Sequence, residues 1–272
     1  MRMCKNYFLL FTFSLTLVEQ VLFTQRKFDE LNQHIDIILN NAKCLDDKIK
    51  AHELKISSLS HKDIHKAFTH ARSVLASLGF PFPSSIDSQT VSQIASSLSL
   101  EAMALTAENL RAYPLMTEKI SLQAMGIMNS IALHVPFHFA KLSTFQMISC
   151  QMMQLTLKQG ICIHSLDAFA NFGYCMNTLF KNYEAGYRMG KLSLVILERF
   201  KATNKLAKVS FLVYGLLCIW KEPVSELSFF LHNAQHTFHA LNNSSIDTSV
   251  YRRSSTLYQR RLVGRRVYPN NL

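Results

Sequence analysis

Glycine and proline are scarce, 8 and 6 residues in a chain of 272. Turn-rich all-β architectures consume many of both, so this shortage points away from them and toward long helices with few connections. Charge is also thin: 17% of residues are charged and 49% are hydrophobic, a balance that excludes a disordered chain. The six cysteines, at 4, 44, 150, 162, 175 and 218, include no Cys-x-x-Cys pair and lie in apolar or helical settings. They read as small buried hydrophobes in a reducing, cytoplasmic compartment and not as a disulfide framework. The longest N-terminal apolar stretch, "YFLLFTFSLTLV" after Arg2 and Lys5, is twelve residues long. A bilayer span needs about 20. As the h-region of a signal peptide it lacks a small-x-small cleavage site, because Glu19, Gln20 and Phe23 occupy that place. It reads as a buried helix opening a stack, with secretion as the alternative.

What is present is helical periodicity. In "FDELNQHIDIILNNA", Phe28, Leu31, Ile35, Ile38 and Leu39 recur at three- and four-residue steps and form one apolar stripe. "DIHKAFTHARSVLASLG" repeats the pattern with Ile64, Phe68, Ala71, Val74, Leu75 and Leu78; Asp63 is placed to cap its start and Gly79 to end it. Pro81 and Pro83 in "FPFPSS" then forbid continuation. Residues 87–110 read as two short helices, and 118–132 and 138–159 as two apolar ones around Pro136. Four more are predicted at about 164–180, 183–201, 203–221 and 224–241. Trp220, the only tryptophan, completes the stripe Leu206, Val209, Val213, Leu216 or Leu217 and is expected to wedge between two helices.

Helix starts near 28 and 63, and again near 183 and 224, stand some 35 and 41 residues apart. Helix–turn–helix units of this length cannot bury both apolar faces alone, so stacking completes the core. The fold class expected is all-α, an α-solenoid of TPR-like repeats. Residues 1–80 form N-terminal repeats, 81–86 a Pro-rich turn, and 87–241 further repeats of the same solenoid. Residues 242–272 form a basic, disordered tail. Its last 22 residues hold six arginines and no acid, leaving +5 of the net +11 for the rest. The tail reads as solvated, with nucleic-acid association as a weaker alternative.

Three motifs invite chemistry. "NYEAGYRMGKLSL" offers Gly186, Gly190, Lys191 and Ser193 in the manner of a phosphate-binding loop. A Walker A motif needs four residues between its glycines and a hydroxyl directly after lysine. Here three residues separate the glycines, Leu192 intervenes before Ser193, and the preceding segment is helical in pattern. Within a helix Gly186 and Gly190 share a face and permit close approach of a neighbour. His232, His236 and His239 also share a helix face, but Asn233 stands where a metalloprotease places glutamate. Three ligands along one straight helix do not converge on one ion. His61, His65 and His70 surround a helix start without sharing a face, so partial exposure is expected. The acids fall mainly on polar faces of the helices at 28–55. "NNSS" at 242–245 carries N-glycosylation sequons, which matter only in a secreted chain. No catalytic, cofactor-binding or metal-ligating residue is assigned.

An ordered set of stretches carries a resemblance: "FDELNQHIDIILNNAKCLDDKIKAHELKISSL", "LGFPFP", "YPLMTEKISLQAMGIM", "MQLTLKQGICIHSLDAFANFGYC", "YEAGYRMGKLSLVILERF" and "KVSFLVYGLLCIWKEPVSE". Together, from about residue 7 to 235, they resemble the helical-repeat region of very large signalling proteins. Those proteins combine a kinase-like domain, an AAA/STAND-type ATPase, GAF and sensor histidine-kinase modules. The resemblance implies a non-catalytic scaffold or sensor arm whose partner is a protein, a peptide or the neighbouring kinase and ATPase domains. It implies no cofactor and no small-molecule substrate. It also favours a repeat helix at the N-terminus over a signal peptide. The phosphotransfer residues of that group lie in other domains; no His-Arg-Asp or Asp-Phe-Gly motif occurs here. Beyond about residue 240 the pattern lapses, so the chain is expected to be a fragment. The alternative class is an enzyme or nucleotide-binding protein whose site is assembled only in space.

Overall fold

A computed structural model describes residues 27–42, 45–83, 86–132 and 142–223. The described residues are all-α, with one isolated backbone bridge, Leu115 to Ile161, and no strand. In chain order the helices are α1 (Phe28–Asn41), α2 (Leu45–Lys62), α3 (Ile64–Ser77), α4 (Ser88–Ala104) and α5 (Ala107–Ala112). They continue with α6 (Lys119–Ala132), α7 (Leu142–Gln159), α8 (Ser165–Phe180), α9 (Tyr183–Arg199) and α10 (Leu206–Leu212). Residues 1–26, 224–241 and the basic tail, with His232, His236 and His239, lie outside the described residues.

Local sequence sets the boundaries. Asp63 caps α3, its carboxylate accepting from the His65 and Lys66 amides at 3.0 and 3.1 Å. Gly79 ends the same helix at φ +86°. The Gly79 and Phe80 amides donate back to Ala76 and Leu75, the two bonds of a left-handed helix stop that a side chain would strain. Asp87 caps α4, which runs for 17 residues where the sequence suggested a short helix. Its buried face, Val91, Ala95, Leu98 and Ala102, is periodic but small, and many serines dilute the pattern.

One hydrophobic core runs from Ile49 and Ile56 on α2 to Ile219, on both sides of the proline turn. A smaller cluster of Leu31, Ile35, Ile38 and Ala51 joins α1 to α2. Helices α7 and α8 are buried almost all round, which identifies the centre of the core. Neighbours in sequence pack together along α1–α2–α3 and α6–α7–α8–α9, while α2 and α3 both meet α6. Helices α4 and α5 depart from this order: α4 lies on α7 and α5 on α9. Two arginines of α9 hold them there. Arg188 donates to the Leu105 carbonyl at 2.9 Å, and Arg199 to the Leu110 and Tyr113 carbonyls at 2.8 Å each. Cations at helix C-termini satisfy carbonyls that have no partner within the helix.

The segment predicted as one helix over 203–221 is broken. A 3₁₀ turn (Thr203–Lys205) precedes α10, and a π turn (Val213–Leu217) and a second 3₁₀ turn (Cys218–Trp220) follow it. Val209, Val213 and Leu217 are buried as expected, but Trp220 is 44% exposed. A π turn contains an additional residue, so a position seven beyond Val213 no longer lies on its face. Instead of wedging between helices, Trp220 stacks on Tyr183, ring centroids 4.6 Å apart. No helix among the described residues is long and apolar enough to cross a membrane.

Candidate functional site

The residues that suggested a phosphate loop point to three separate places. Gly186 and Gly190 are buried in α9 and face α8 and the π turn. A Cβ at Gly186 would stand 2.0 Å from Asn177 Oδ1 and 2.9 Å from the Gly173 carbonyl oxygen. One at Gly190 would stand 2.9 Å from Leu217 Cδ1. Lys191 pairs with Glu222 at 2.6 Å and lies over the Tyr187 and Tyr214 rings at 5.2 and 5.3 Å. Ser193 donates to the Leu166 carbonyl at 2.6 Å. The glycines therefore form a helix seam, as their spacing within a helix suggested. Sequence reading missed Gly173, the other side of that seam.

His65 is exposed. His70 is half-buried and meets His52 of α2, with His52 Nδ1 and His70 Nε2 3.0 Å apart. Burial pushes His70 down to about 4 and also lowers His52, aided by Lys55. Neutral rings can form this bond, one donating and the other accepting. The His61 side chain lies outside the described residues. Cys150, Cys162, Cys175 and Cys218 are buried free thiols, matching the reading as small hydrophobes. Burial pushes Cys150 and Cys218 up to about 12, so neither is a ready nucleophile.

A group of buried ionisable side chains lies elsewhere, where α2, α6, α8 and α10 converge. Gly126 of α6 makes room for it: a Cβ there would stand 2.2 Å from Glu53 Oε1 and 3.8 Å from His164 Nε2. Glu53 comes from α2, and His164 precedes the first turn of α8. In the first turn of α8, Asp167 is fully buried, with Lys208 Nζ of α10 2.6 Å from its Oδ1. The ammonium lies off hydrogen-bond alignment, so this contact is an ion pair; Asp167 Oδ2 and His164 Nδ1 have no hydrogen-bond partner among the described residues. Lys208 also donates to Asn129 Oδ1 at 3.4 Å.

Burial dominates the electrostatics of this group. It pushes the Glu53 carboxyl up to about 7 against the pull of Lys205 and Lys50. It pushes the His164 imidazole down to about 4, with Asp167 opposing and Lys205 and Lys208 assisting. Between about pH 4 and 7, then, a neutral acid and a neutral imidazole flank one glycine beside a buried ion pair. Such groups can store and release protons. Among the described residues no three His, Cys, Asp or Glu side chains are arranged to hold a metal ion.

The expectation that acids fall mainly on polar faces at 28–55 holds for Asp29, Glu30 and Asp36, which are exposed; Glu53 is the exception there, and Asp167 lies outside that stretch. One signal was available. Asp167 in "SLDAFANFGYC" and Lys208 in "AKVSFLVYG" are lone charges in apolar helices, and a lone charge there needs a partner. Comparison with protein-family models, with curated proteins and with solved structures finds no match for this chain.

Proposed function

We propose that the chain is a non-catalytic helical-repeat scaffold or sensor arm, a piece of a larger kinase/ATPase signalling protein. Stacking between sequence neighbours, α1 on α2 on α3 and α6 on α7 on α8 on α9, is the observation that supports this reading. It is how TPR-like helical hairpins build a solenoid. Three cations are engaged internally, Arg188 and Arg199 on carbonyls at helix ends and Lys208 on Asp167. The partner is a protein or peptide, or the kinase-like and ATPase segments themselves. The test reads the coding sequence flanking this frame and titrates the encoded segments against the purified chain. Micromolar or tighter binding supports the proposal; flanks without such segments, or no binding at 100-fold higher concentration, overturn it.

The Glu53–His164–Asp167–Lys208 group favours a second reading, an enzyme or nucleotide-binding protein whose site forms only in space. A saturating ligand stabilises the native state, so thermal unfolding with millimolar Mg-ATP tests the nucleotide version. An unchanged melting temperature removes it.

A further inference from the structure

The block α1–α3 meets the rest of the described chain chiefly across α6, through α2 and α3. Glu53 lies in that joint. Its carboxyl fills the notch that Gly126 leaves on α6, and His164 borders the same notch from the start of α8. Every other residue type at 126 would place an atom where Glu53 Oε1 stands. The carboxyl is therefore part of the packing between the two helices. Glu53 is half-buried, and in such a notch the neutral acid costs less to seat than a carboxylate, which needs a partner or water.

We propose that the Glu53 carboxyl in the Gly126 notch is a proton-controlled latch, docking α2 on α6 as the neutral acid and releasing it as the carboxylate. The charged groups around it are few. Lys50 stands one turn back on α2, Lys205 and Lys208 approach from the α10 side, and His164 and Asp167 from α8. Lys208 is committed to Asp167, leaving Lys205 and the exposed Lys50 to receive the released carboxylate. Helix α1 sends Asp29 and Asp36 to Lys62 and Lys55, away from the notch. Helix α3 directs His70 to His52, and the Lys158 of α7 is exposed at its far end.

The direction follows from linkage. An acid held above its solvated value stabilises the docked state below that value and loses this contribution as pH rises through the docked one. For Glu53 the window runs from 4.5 to about 7. Opening that frees only Glu53 therefore becomes up to about 300-fold more populated across this window and is level above it, tenfold per pH unit.

Hydrogen exchange of α2 and α6 amides between pH 4.5 and 8, corrected for intrinsic rates, reads that population. The wild type should show the rise and Glu53→Gln a flat profile. A flat wild-type profile, or an equal rise in Glu53→Gln, overturns the latch. The ¹³C shift of the Glu53 carboxyl gives a test without a variant: titration near 7 supports it and titration near 4.5 overturns it. If Glu53→Gln fails to fold, Gly126→Ala serves, since its methyl evicts the carboxyl. The latch then predicts a carboxyl titrating near 4.5 and no exchange window, and persistence of the window overturns it.

Discussion

Replacing Gly186 by alanine tests the helix seam directly. The new Cβ meets two obstacles, Asn177 Oδ1 at 2.0 Å and the Gly173 carbonyl oxygen at 2.9 Å. The first can yield. The Asn177 side chain has no hydrogen-bond partner among the described residues, so rotating it breaks none. The second is backbone, and relief requires α8 and α9 to separate by a few tenths of an ångström. Overpacking of this kind costs about 1–3 kcal/mol. Alanine in place of glycine in a helix returns about 0.5–1 kcal/mol. The net expectation is a loss of about 1–2 kcal/mol, or roughly 2–8 °C in melting temperature for a chain of this size. Urea denaturation of Gly186→Ala, Asn177→Ala and the double variant separates the two obstacles. The double variant should recover only part of the loss, because the backbone contact remains. Full recovery would place the whole cost in Asn177, and a Gly186→Ala protein as stable as wild type would refute the seam.

Lys208→Met should cost about 3–5 kcal/mol in denaturant unfolding, because it strands the buried Asp167 charge; adding Asp167→Asn should return much of it. Trp220→Ala should cost about 1–2 kcal/mol by thermal unfolding, since a half-exposed ring loses a stacking partner and part of its contact area. Cys150, Cys162, Cys175 and Cys218 should resist iodoacetamide in native buffer and react fully in denaturant, read by peptide mass spectrometry. The His52–His70 pair stabilises the fold above the solvated histidine value of 6.5 and loses that contribution as pH falls toward about 4. His70→Gln should flatten this part of the pH–stability curve.

The fold was legible wherever a signal was local. Asp63 and Gly79 announce the ends of α3 because capping needs only the residues beside them. The seam glycines announce themselves by four-residue spacing within a helical pattern. By contrast, α4 was underestimated because Ala95 and Ala102 bury little area and serines fill the spaces between. The position of α4 and α5 on α7 and α9 rests on Arg188 and Arg199, which reach carbonyls 83 and 89 residues away. The π turn depends on how one more residue is accommodated against α8 and α9, and nothing in "FLVYGLLCIW" marks it. The Gly126 group is the extreme case. Glu53 lies among polar residues in "KAHELK", and only the fold shows that it faces a glycine and a histidine from two other helices.

That group also hides its own pH dependence. Global unfolding exposes both Glu53 and His164. Glu53, raised from 4.5 to about 7, makes the fold lose stability as pH rises through that interval. His164, lowered from 6.5 to about 4, makes it gain stability over nearly the same interval. Each shift corresponds to about 3 kcal/mol, so the two slopes cancel and the contribution of this site to a global curve is almost level. Substituting one partner exposes the other: Glu53→Gln should gain stability steeply from pH 4 to 6.5. An opening in which Glu53 leaves the notch while His164 stays packed at the start of α8 frees only Glu53. A pH response invisible in melting curves should therefore be plain in the exchange of α2, which is what a local latch within a stable fold requires.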